Sequence, residues 1–202
     1  VGRAWAAFTV FLIYAGLDGL ALHVVNDDPK ALSGALTVQL YRKGEIRIAS
    51  GSSTIQIAAH SAIEIRADSL LEHFLDTSYA YRFGPPGHDV AIAEIRADNA
   101  IETGMQAFHF PLGIQVTQQA DVGLTALCEV QADGNYLLRL RSRKLAISVA
   151  LTLNAYLPDD NYFHMEPGVE KTVHLRANNA TSPPEGTAWA LNAIEAITIK
   201  TR

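Results

Sequence analysis

Carboxyl groups are the most numerous side chains in this sequence that could do acid–base chemistry, with 21 aspartates and glutamates in all. Hydrolysis of a glycosidic bond, for example, needs two carboxyl groups that flank a cleft. Glu64, Glu94 and Glu129 instead occupy alternating positions of strand-like segments, where we expect them to face solvent. Asp159 and Asp160 are neighbours in a turn-forming segment and are expected to bind backbone amides. The sequence therefore predicts no catalytic carboxylate pair.

The other reactive side chains do not form a recognisable site either. The single cysteine, Cys128, lies in a strand-like segment and is expected to be a buried, unreactive thiol. Gly51-Ser52-Ser53 lacks the GxSxG spacing of a nucleophilic serine and is predicted to be a loop. No two of the seven histidines are spaced as HxH or HxxxH, so we predict no metal site and no cofactor; they are His23, His60, His73, His88, His109, His164 and His174.

Aromatic side chains are the remaining candidates for contact with a ligand. Tyr79, Tyr81 and Tyr162 could stack on a sugar ring, as could Trp5 and Trp189. The same residues could equally pack in a core or at a domain interface, because Tyr and Trp bury large areas. We therefore name Tyr79, Tyr81 and Tyr162 as candidate contacts to a sugar or to a neighbouring domain, with both alternatives open.

Composition excludes several classes of function. The formal net charge of −5 argues against a nucleic-acid-binding surface. Hydrophobic residues make up 49% and charged residues 18%, which is typical of a folded protein. The apolar residues 1–15 are interrupted by Arg3 and Thr9 and are too short to span a bilayer, so no membrane partner is expected. One cysteine permits no intrachain disulfide, which favours the cytoplasm without establishing the compartment.

The elements that would carry these side chains are almost all strands, because apolar and polar residues alternate along most of the chain. One short helix is predicted at Ala67–Phe74, and a hairpin at Ala132–Asn135 should hold Gly134 at positive φ. The predicted strands are Trp5–Tyr14, Leu20–Val25, Gly34–Tyr41, Ile46–Ile48, Thr54–Ile57, Ala62–Arg66, Ser78–Phe83, Val90–Arg96, Met105–Phe110, Val122–Gln131, Tyr136–Ser142, Leu145–Leu153, Lys171–Arg176 and Trp189–Ile199.

This pattern predicts an all-β protein with two antiparallel sandwiches in tandem, because sandwiches have short strands at regular spacing and about 100 residues each. Pro111-Leu112-Gly113 ends a strand and marks the boundary between domains at residues 1–110 and 111–202. No βαβ alternation is present, which argues against a parallel sheet or a (β/α)₈ barrel.

Three segments carry a resemblance to a known family. Pro158-Asp159-Asp160-Asn161-Tyr162-Phe163-His164-Met165-Glu166-Pro167-Gly168-Val169-Glu170 resembles the C-terminal region of β-mannosidases of glycoside hydrolase family 2, except that Val169 interrupts the usual P-G-E. Leu22–Asp27 and Thr77–Asp89 resemble strands and turns of the immunoglobulin-like domain that follows the barrel in those enzymes. The resemblance spans most of Trp5–Arg176.

The resemblance implies that both sandwiches are immunoglobulin-like and that the catalytic glutamates lie in a barrel elsewhere in the same polypeptide. The chain would then be a non-catalytic accessory region, with an exposed apolar patch where the barrel docks and through which it could self-associate. Two alternatives stay open: an autonomous module that binds a mannoside-type carbohydrate, and an adhesion or assembly pair. The parent enzyme's glycoside is not determined, because exo-glucosaminidases share these domains.

Overall fold

The computed structural model describes residues 7–98, 104–119 and 121–201. Their regular structure is β, apart from 3₁₀ turns at Gly16–Asp18 and Ala67–Ser69. The chain divides into two compact units between Gln115 and Val116. The domain bounds 1–110 and 111–202 stay a prediction. Within the described residues, no helix is long and apolar enough to cross a membrane.

The first unit consists of two antiparallel sheets with a shared core. Its strands are β1 (Phe8–Tyr14), β2 (Leu20–Asn26), β3 (Leu32–Arg42), β4 (Ile46–Ile57), β5 (Ser61–Arg66), β6 (Val90–Ala97) and β7 (Met105–His109). The sheet orders are β1-β2-β5 and β4-β3-β6-β7. Alternate side chains of each strand point inward, so the buried core includes Leu22, Val24, Leu36, Val38 and Ile95.

The second unit also has two sheets. Its strands are β8 (Thr125–Val130), β9 (Tyr136–Arg141), β10 (Ala146–Leu153), β11 (Tyr156–Pro158), β12 (Phe163–Met165), β13 (Glu170–Ala177), β14 (Gly186–Trp189), β15 (Ile197–Thr198) and β16 (Lys200–Thr201). The sheet orders are β12-β10-β14-β15 and β11-β13-β9-β8-β16. All pairs are antiparallel except β16 with β8. The predicted all-β fold of two tandem sandwiches is thus confirmed.

The helix predicted at Ala67–Phe74 is wrong beyond its first turn. Only Ala67–Ser69 is helical, and it is a 3₁₀ turn without a side-chain cap. Leu71 is buried in the core but Phe74, about one turn later, is 71% exposed, so the segment does not bury a continuous apolar stripe along a helix. The chain instead packs the backbone of Leu70 against Gly51 of β4.

The loop predicted at Gly51-Ser52-Ser53 is also wrong, because these residues continue β4. They pair with Val38, Thr37 and Leu36 of β3, so the two short strands predicted on either side of them are one strand. Because β4 is an edge strand, its backbone forms ladder hydrogen bonds with β3 on one side only. A strand in this position can form without alternating apolar side chains. Low local hydrophobicity therefore does not mark a break in this strand.

The strand predicted at Trp189–Ile199 ends at Trp189. The side chain of Asn192, 4% exposed, accepts a hydrogen bond from Ile147 N at 2.9 Å and donates one to Leu145 O at 2.8 Å. The Trp189 indole N–H donates to Ala193 O at 3.0 Å. These side-chain bonds replace strand pairing and turn the chain before β15.

Candidate interaction site

Tyr79 and Tyr81 lie in the first unit, on a long loop between Leu70 and Asp89. The strand predicted at Ser78–Phe83 is wrong, because this stretch has no ladder partner. The Asp76 carboxylate instead accepts hydrogen bonds from the backbone amides of Ala80 at 2.8 Å and Tyr81 at 3.0 Å. An Asp that binds amides a few residues ahead bends the chain into a turn, which is incompatible with an extended strand.

Buried polar contacts anchor the base of this loop. Thr77 is fully buried; its hydroxyl donates to the Asp68 carboxylate at 3.1 Å and accepts from Leu20 N at 3.2 Å. The Ser78 hydroxyl donates to Gly16 O at 3.2 Å. Buried hydrogen bonds of this kind are lost if the loop moves away, so they hold its position on the sheet.

Tyr79 itself closes the loop. Its phenol O–H donates to Gly84 O at 2.7 Å, and its backbone has the left-handed φ of 57°. Its ring is only partly exposed. The structure therefore gives Tyr79 an internal contact, and its prediction as a ligand contact stays a prediction.

Tyr81 belongs to a cluster of three exposed rings, which we call the aromatic platform: Phe74, Tyr81 and Phe83. The rings of Phe74 and Tyr81 meet edge to face with centroids 5.9 Å apart. Those of Tyr81 and Phe83 lie nearly parallel, at 19° and 6.4 Å. Sequence reasoning missed both phenylalanines, although the alternation of aromatic residues at 79, 81 and 83 pointed to Phe83.

Tyr162 lies in the second unit and is 70% exposed. Its neighbour Asn161 mimics a strand partner of β10, because its side chain accepts from Leu151 N at 2.8 Å and donates to Leu151 O at 3.1 Å. On the other side Phe163 is buried in the core. Tyr162 has the left-handed φ of 58°, so its ring is turned away from the core between two anchored residues.

Of the two tryptophans, Trp5 lies outside the described residues. Trp189 is half-buried at the end of β14.

Three of the carboxylates weighed for catalysis contact basic side chains on neighbouring strands or on their own strand. Glu64 binds His23 at 2.9 Å, and Arg139 bridges Glu129 at 2.9 Å and Glu170 at 2.7 Å. Arg139 therefore holds both glutamates in one charge-assisted network. This geometry is that of a surface ion-pair network.

The prediction that Glu94 faces solvent is wrong, because its side chain belongs to a residue that is only 8% exposed. Arg96, two residues along β6, donates to its carboxylate at 2.6 Å. The Gly104 amide and the Gln106 side chain donate to it at 3.3 and 3.4 Å. These donors compensate the burial of the charge, so Glu94 is a structural residue.

The two neighbouring carboxylates Asp159 and Asp160 have different partners on β13. Asp159 accepts a hydrogen bond from His174 N at 3.0 Å, as predicted for a carboxylate that binds backbone. Asp160 instead forms an ion pair with Lys171 at 3.0 Å. Both carboxylates therefore join β13 to the preceding turn.

A groove of about 810 Å³ opens beside this turn in the second unit. Its polar lining includes Asp133 and Asp159, but both already accept backbone amides, from Asn135 and His174 respectively, at 3.0 Å. Leu157 supplies part of its apolar lining. These contacts are structural, and among the described residues that line the groove none is Phe, Tyr or Trp.

Cys128 is fully buried in β8, as predicted, and burial raises the pKa of its thiol. Across residues 7–98, 104–119 and 121–201, no group of three or more His, Cys, Asp or Glu side chains could hold a metal ion.

Two histidines in the first unit are held in neutral form. His88 is 2% exposed, and no hydrogen-bond partner reaches the Nε2 atoms of His88 or His109 within the described residues. Burial lowers the pKa of His88 and outweighs its hydrogen bond to the Thr77 backbone, which acts in the opposite direction. His109 lowers this pKa further, whereas Asp89 and Asp76 raise it. Burial also lowers the pKa of His109.

Acidification is therefore expected to destabilise the first unit. The unfolded histidines have pKa values near 6.5 and bind protons before the native ones, so stability is complete above pH 6.5 and falls below it. The slope reaches up to about 1.4 kcal/mol per pH unit for each histidine that stays neutral in the native state. Urea unfolding at pH 7.5, 6.5 and 5.5 measures this loss.

The controls for this pH experiment are single glutamine variants. His88→Gln should reduce the slope between pH 6.5 and 5.5, while the exposed His73→Gln should preserve it. If His88→Gln does not fold, His109→Gln serves instead. An unfolding midpoint that is constant from pH 7.5 to 5.5 contradicts the prediction.

Strand β1 is apolar on both faces, which is unusual for the outer strand of a sandwich. Its pairing with β2 points Val10 and Leu12 toward the core and Phe11 and Ile13 outward. Phe11 is 50% and Ile13 44% exposed. We call this outward surface, with Thr9, the β1 face. The β1 face is thus an exposed apolar surface, and the docking patch that the resemblance implies stays a prediction.

Residues 119–188 match the sequence profile of the family Ig_mannosidase, an Ig-fold domain. This part of the second unit is therefore similar to mannosidase-type immunoglobulin-fold domains, and we call residues 119–188 the mannosidase-type domain. This match confirms the resemblance found in the sequence, and the mannosidase-type domain contains Tyr162 and most strands of its unit. No curated protein matches the sequence of this chain.

Solved structures extend the similarity of fold beyond the mannosidase-type domain. β-D-mannosidase from Dictyoglomus thermophilum matches 99% of this chain and 23% of its own, with TM-score 0.64 and 16% identity. Exo-chitosanase from Amycolatopsis orientalis matches 95% of this chain and 26% of its own, with TM-score 0.62 and 14% identity. The similarity is one of fold, and the chain spans about a quarter of the proteins that it matches.

Proposed function

We propose that this chain is a non-catalytic accessory region of a β-mannosidase-like glycoside hydrolase and packs beside a catalytic (β/α)₈ barrel of the same polypeptide. The β1 face is the observation that carries the proposal. A β-sandwich that stands alone keeps polar residues on its outer surface, whereas β1 presents Phe11 and Ile13 there. An apolar strand face of this kind favours a second protein layer.

The comparisons support the same proposal. Residues 119–188 match a mannosidase-type domain, and the similar mannosidase and chitosanase are each about four times as long as the aligned region. In those two enzymes, domains of this fold are therefore accompanied by much more chain. The carboxylates described above contact basic side chains or backbone amides of their own unit, which accords with catalysis elsewhere in the polypeptide.

The coding sequence that precedes Val1 tests the proposal most directly. We expect it to encode eight strand–helix repeats with two catalytic glutamates. The isolated chain should not hydrolyse an aryl β-mannoside. A preceding sequence without a barrel, or turnover by the chain itself that contaminating enzyme does not explain, would overturn the proposal.

The β1 face should also make the isolated chain self-associate. Burying a charge in an apolar interface is unfavourable, so Ile13→Glu is expected to weaken this association at least about tenfold. Sedimentation at increasing concentration measures the effect. Ile46→Glu is the matched control, since Ile46 is also about half exposed, at 50%, but lies on the other sheet. The highest chain concentration tested is about 100 µM. A wild-type chain that is still monomeric at that concentration contradicts the expectation.

The autonomous carbohydrate-binding module remains the alternative function, but its original basis has changed. The aromatic residues at Tyr79–Phe83 suggest sugar binding by an extended strand, but no strand forms there. The specific observation that now favours contact with a sugar is the aromatic platform.

A further inference from the structure

We propose that the aromatic platform of Phe74, Tyr81 and Phe83 is a carbohydrate subsite that takes the C–H face of a neutral pyranose ring. The inference rests on the proposed function, because that function places the chain beside a domain that hydrolyses glycosides. It goes further in assigning to this accessory region a direct contact with the sugar chain.

Exposure is the first argument. Phe83 is 89%, Phe74 71% and Tyr81 40% exposed, although each ring would gain free energy by leaving water. Their mutual contacts bury ring edges and leave ring surface open to solvent. A cluster of exposed rings leaves apolar surface in water, and a ligand that covers this surface would bind there.

Preorganisation is the second argument. Tyr79 and Arg82, on either side of Tyr81, both have left-handed backbones, with φ of 57° and 53°. Such conformations are unfavourable for residues other than glycine and cluster at functional sites. The Asp76 carboxylate and the Tyr79 phenol hold the loop in this shape. A ligand therefore meets a platform that is already ordered, which lowers the entropy lost on binding.

The chemistry of the platform favours a sugar. The face of an aromatic ring carries partial negative charge and attracts polarised C–H groups, which line one face of a pyranose. The Tyr81 hydroxyl and the exposed Arg82 guanidinium can bind sugar hydroxyls at the rim. The net charge of −5 disfavours an acidic sugar.

The small size of the aromatic platform also favours a sugar over a protein as its partner. A stable protein interface takes about 20–30 residues on each side. The platform has three rings, and the residues that follow Phe83 in the loop, Gly84, Pro85 and Gly87, are exposed and small. This geometry suits one or two sugar rings.

The experiment is calorimetric titration of the full 202-residue chain with mannohexaose and, separately, with cellohexaose, both of which are neutral. We expect measurable binding at millimolar sugar. Phe83→Ala and Tyr81→Ala should each weaken it between about twofold and tenfold, which is the range for loss of one aromatic contact. Because Phe83 is almost fully exposed, its variant should keep the wild-type melting temperature.

Ile194→Ala is the control, since it removes an exposed apolar side chain, 56% exposed, from the second unit and should leave sugar binding unchanged. Absence of heat with both sugars, or binding that Phe83→Ala does not weaken, overturns the inference. So does self-association that Phe83→Ala abolishes in a chain that binds no sugar, because the platform would then be a protein contact.

Failure of this inference and failure of the proposed function are distinguishable. Loss of the sugar subsite would not affect the test on the preceding coding sequence. If the chain binds sugar but its gene encodes no barrel, the proposed function fails and the inference of a sugar subsite stands. That result would support the autonomous carbohydrate-binding module.

Discussion

Replacement of Phe163 by alanine is expected to lower the free energy of unfolding of the second unit by about 3–5 kcal/mol. The ring is 2% exposed and lies in the buried core of that unit. Its strand, β12, pairs with β10 at Val149, so the surrounding backbone cannot easily collapse into the space that the ring leaves. The transfer of the ring to water and the residual cavity both contribute to the loss.

The ring has a second contact that alanine removes. The Lys171 ammonium lies 5.2 Å from the ring centroid, close enough for a cation–π interaction. Phe163→Leu would lose this contact but keep most of the volume, so we expect a smaller loss of about 1–1.5 kcal/mol. A loss of 3–5 kcal/mol is a large part of the stability of a small domain.

Urea unfolding of the wild type, Phe163→Ala and Phe163→Leu measures these differences. Tyr162→Ala is the control at the adjacent position, because its ring is 70% exposed and its removal should change stability by less than about 1 kcal/mol. A loss below about 1 kcal/mol for Phe163→Ala would mean that the ring does not fill the core.

Replacement of Gly51 by alanine has the second largest expected effect, a loss of about 3 kcal/mol or more from the first unit. A Cβ atom at this position would lie 1.9 Å from the Leu70 carbonyl oxygen and 2.5 Å from its carbon. These are backbone atoms, so no rotamer change relieves the overlap. Either β4 or the turn at Ala67–Ser69 must shift.

Gly87→Ala is the matched control for Gly51→Ala. A Cβ at Gly87 meets no atom within 4 Å, and the φ of Gly87 is not in the left-handed region. We expect that variant to stay within about 0.5 kcal/mol of the wild type or to be slightly stabilised, because alanine restricts the unfolded chain. Equal melting temperatures of the two variants by calorimetry would show that Leu70 does not pack on Gly51.

Period-two segments were the most predictable part of the fold. Leu20–Val25, Gly34–Tyr41 and Val90–Arg96 were recognised within a residue or two of β2, β3 and β6. Their inward side chains form the core, so the sequence pattern and the burial have one cause. Gly134 is likewise at positive φ, 81°, in its hairpin, as the turn residues predicted.

Two of the errors fell where a residue outside the local segment determines the structure. Asn192 ends a strand by binding Leu145 and Ile147, which are more than 40 positions earlier. Glu94 has the strand alternation of a solvated residue, but the Gln106 side chain, on the next strand, joins the neighbouring Arg96 in donating to its buried carboxylate. The strand pattern around each residue does not contain these distant contacts.

The candidate site shows the same division. Tyr81 could be named from the sequence because exposed-looking aromatic residues alternate around it. Phe74 could not, because its seven-residue separation from Tyr81 has meaning only after the loop has folded back on itself. The apolar outer face of β1 needed the register with β2, since an apolar strand alone does not show which residues face out.

By itself, the sequence determined the all-β class, the two sandwiches and the resemblance of Pro158–Glu170 to mannosidase tails, because alternation and turn residues act over a few neighbouring positions. Only the tertiary structure decided which rings meet in the aromatic platform, which carboxylates are neutralised and where β1 exposes Phe11 and Ile13. These features depend on contacts between residues far apart in the chain, and such contacts exist only once the sheets have paired.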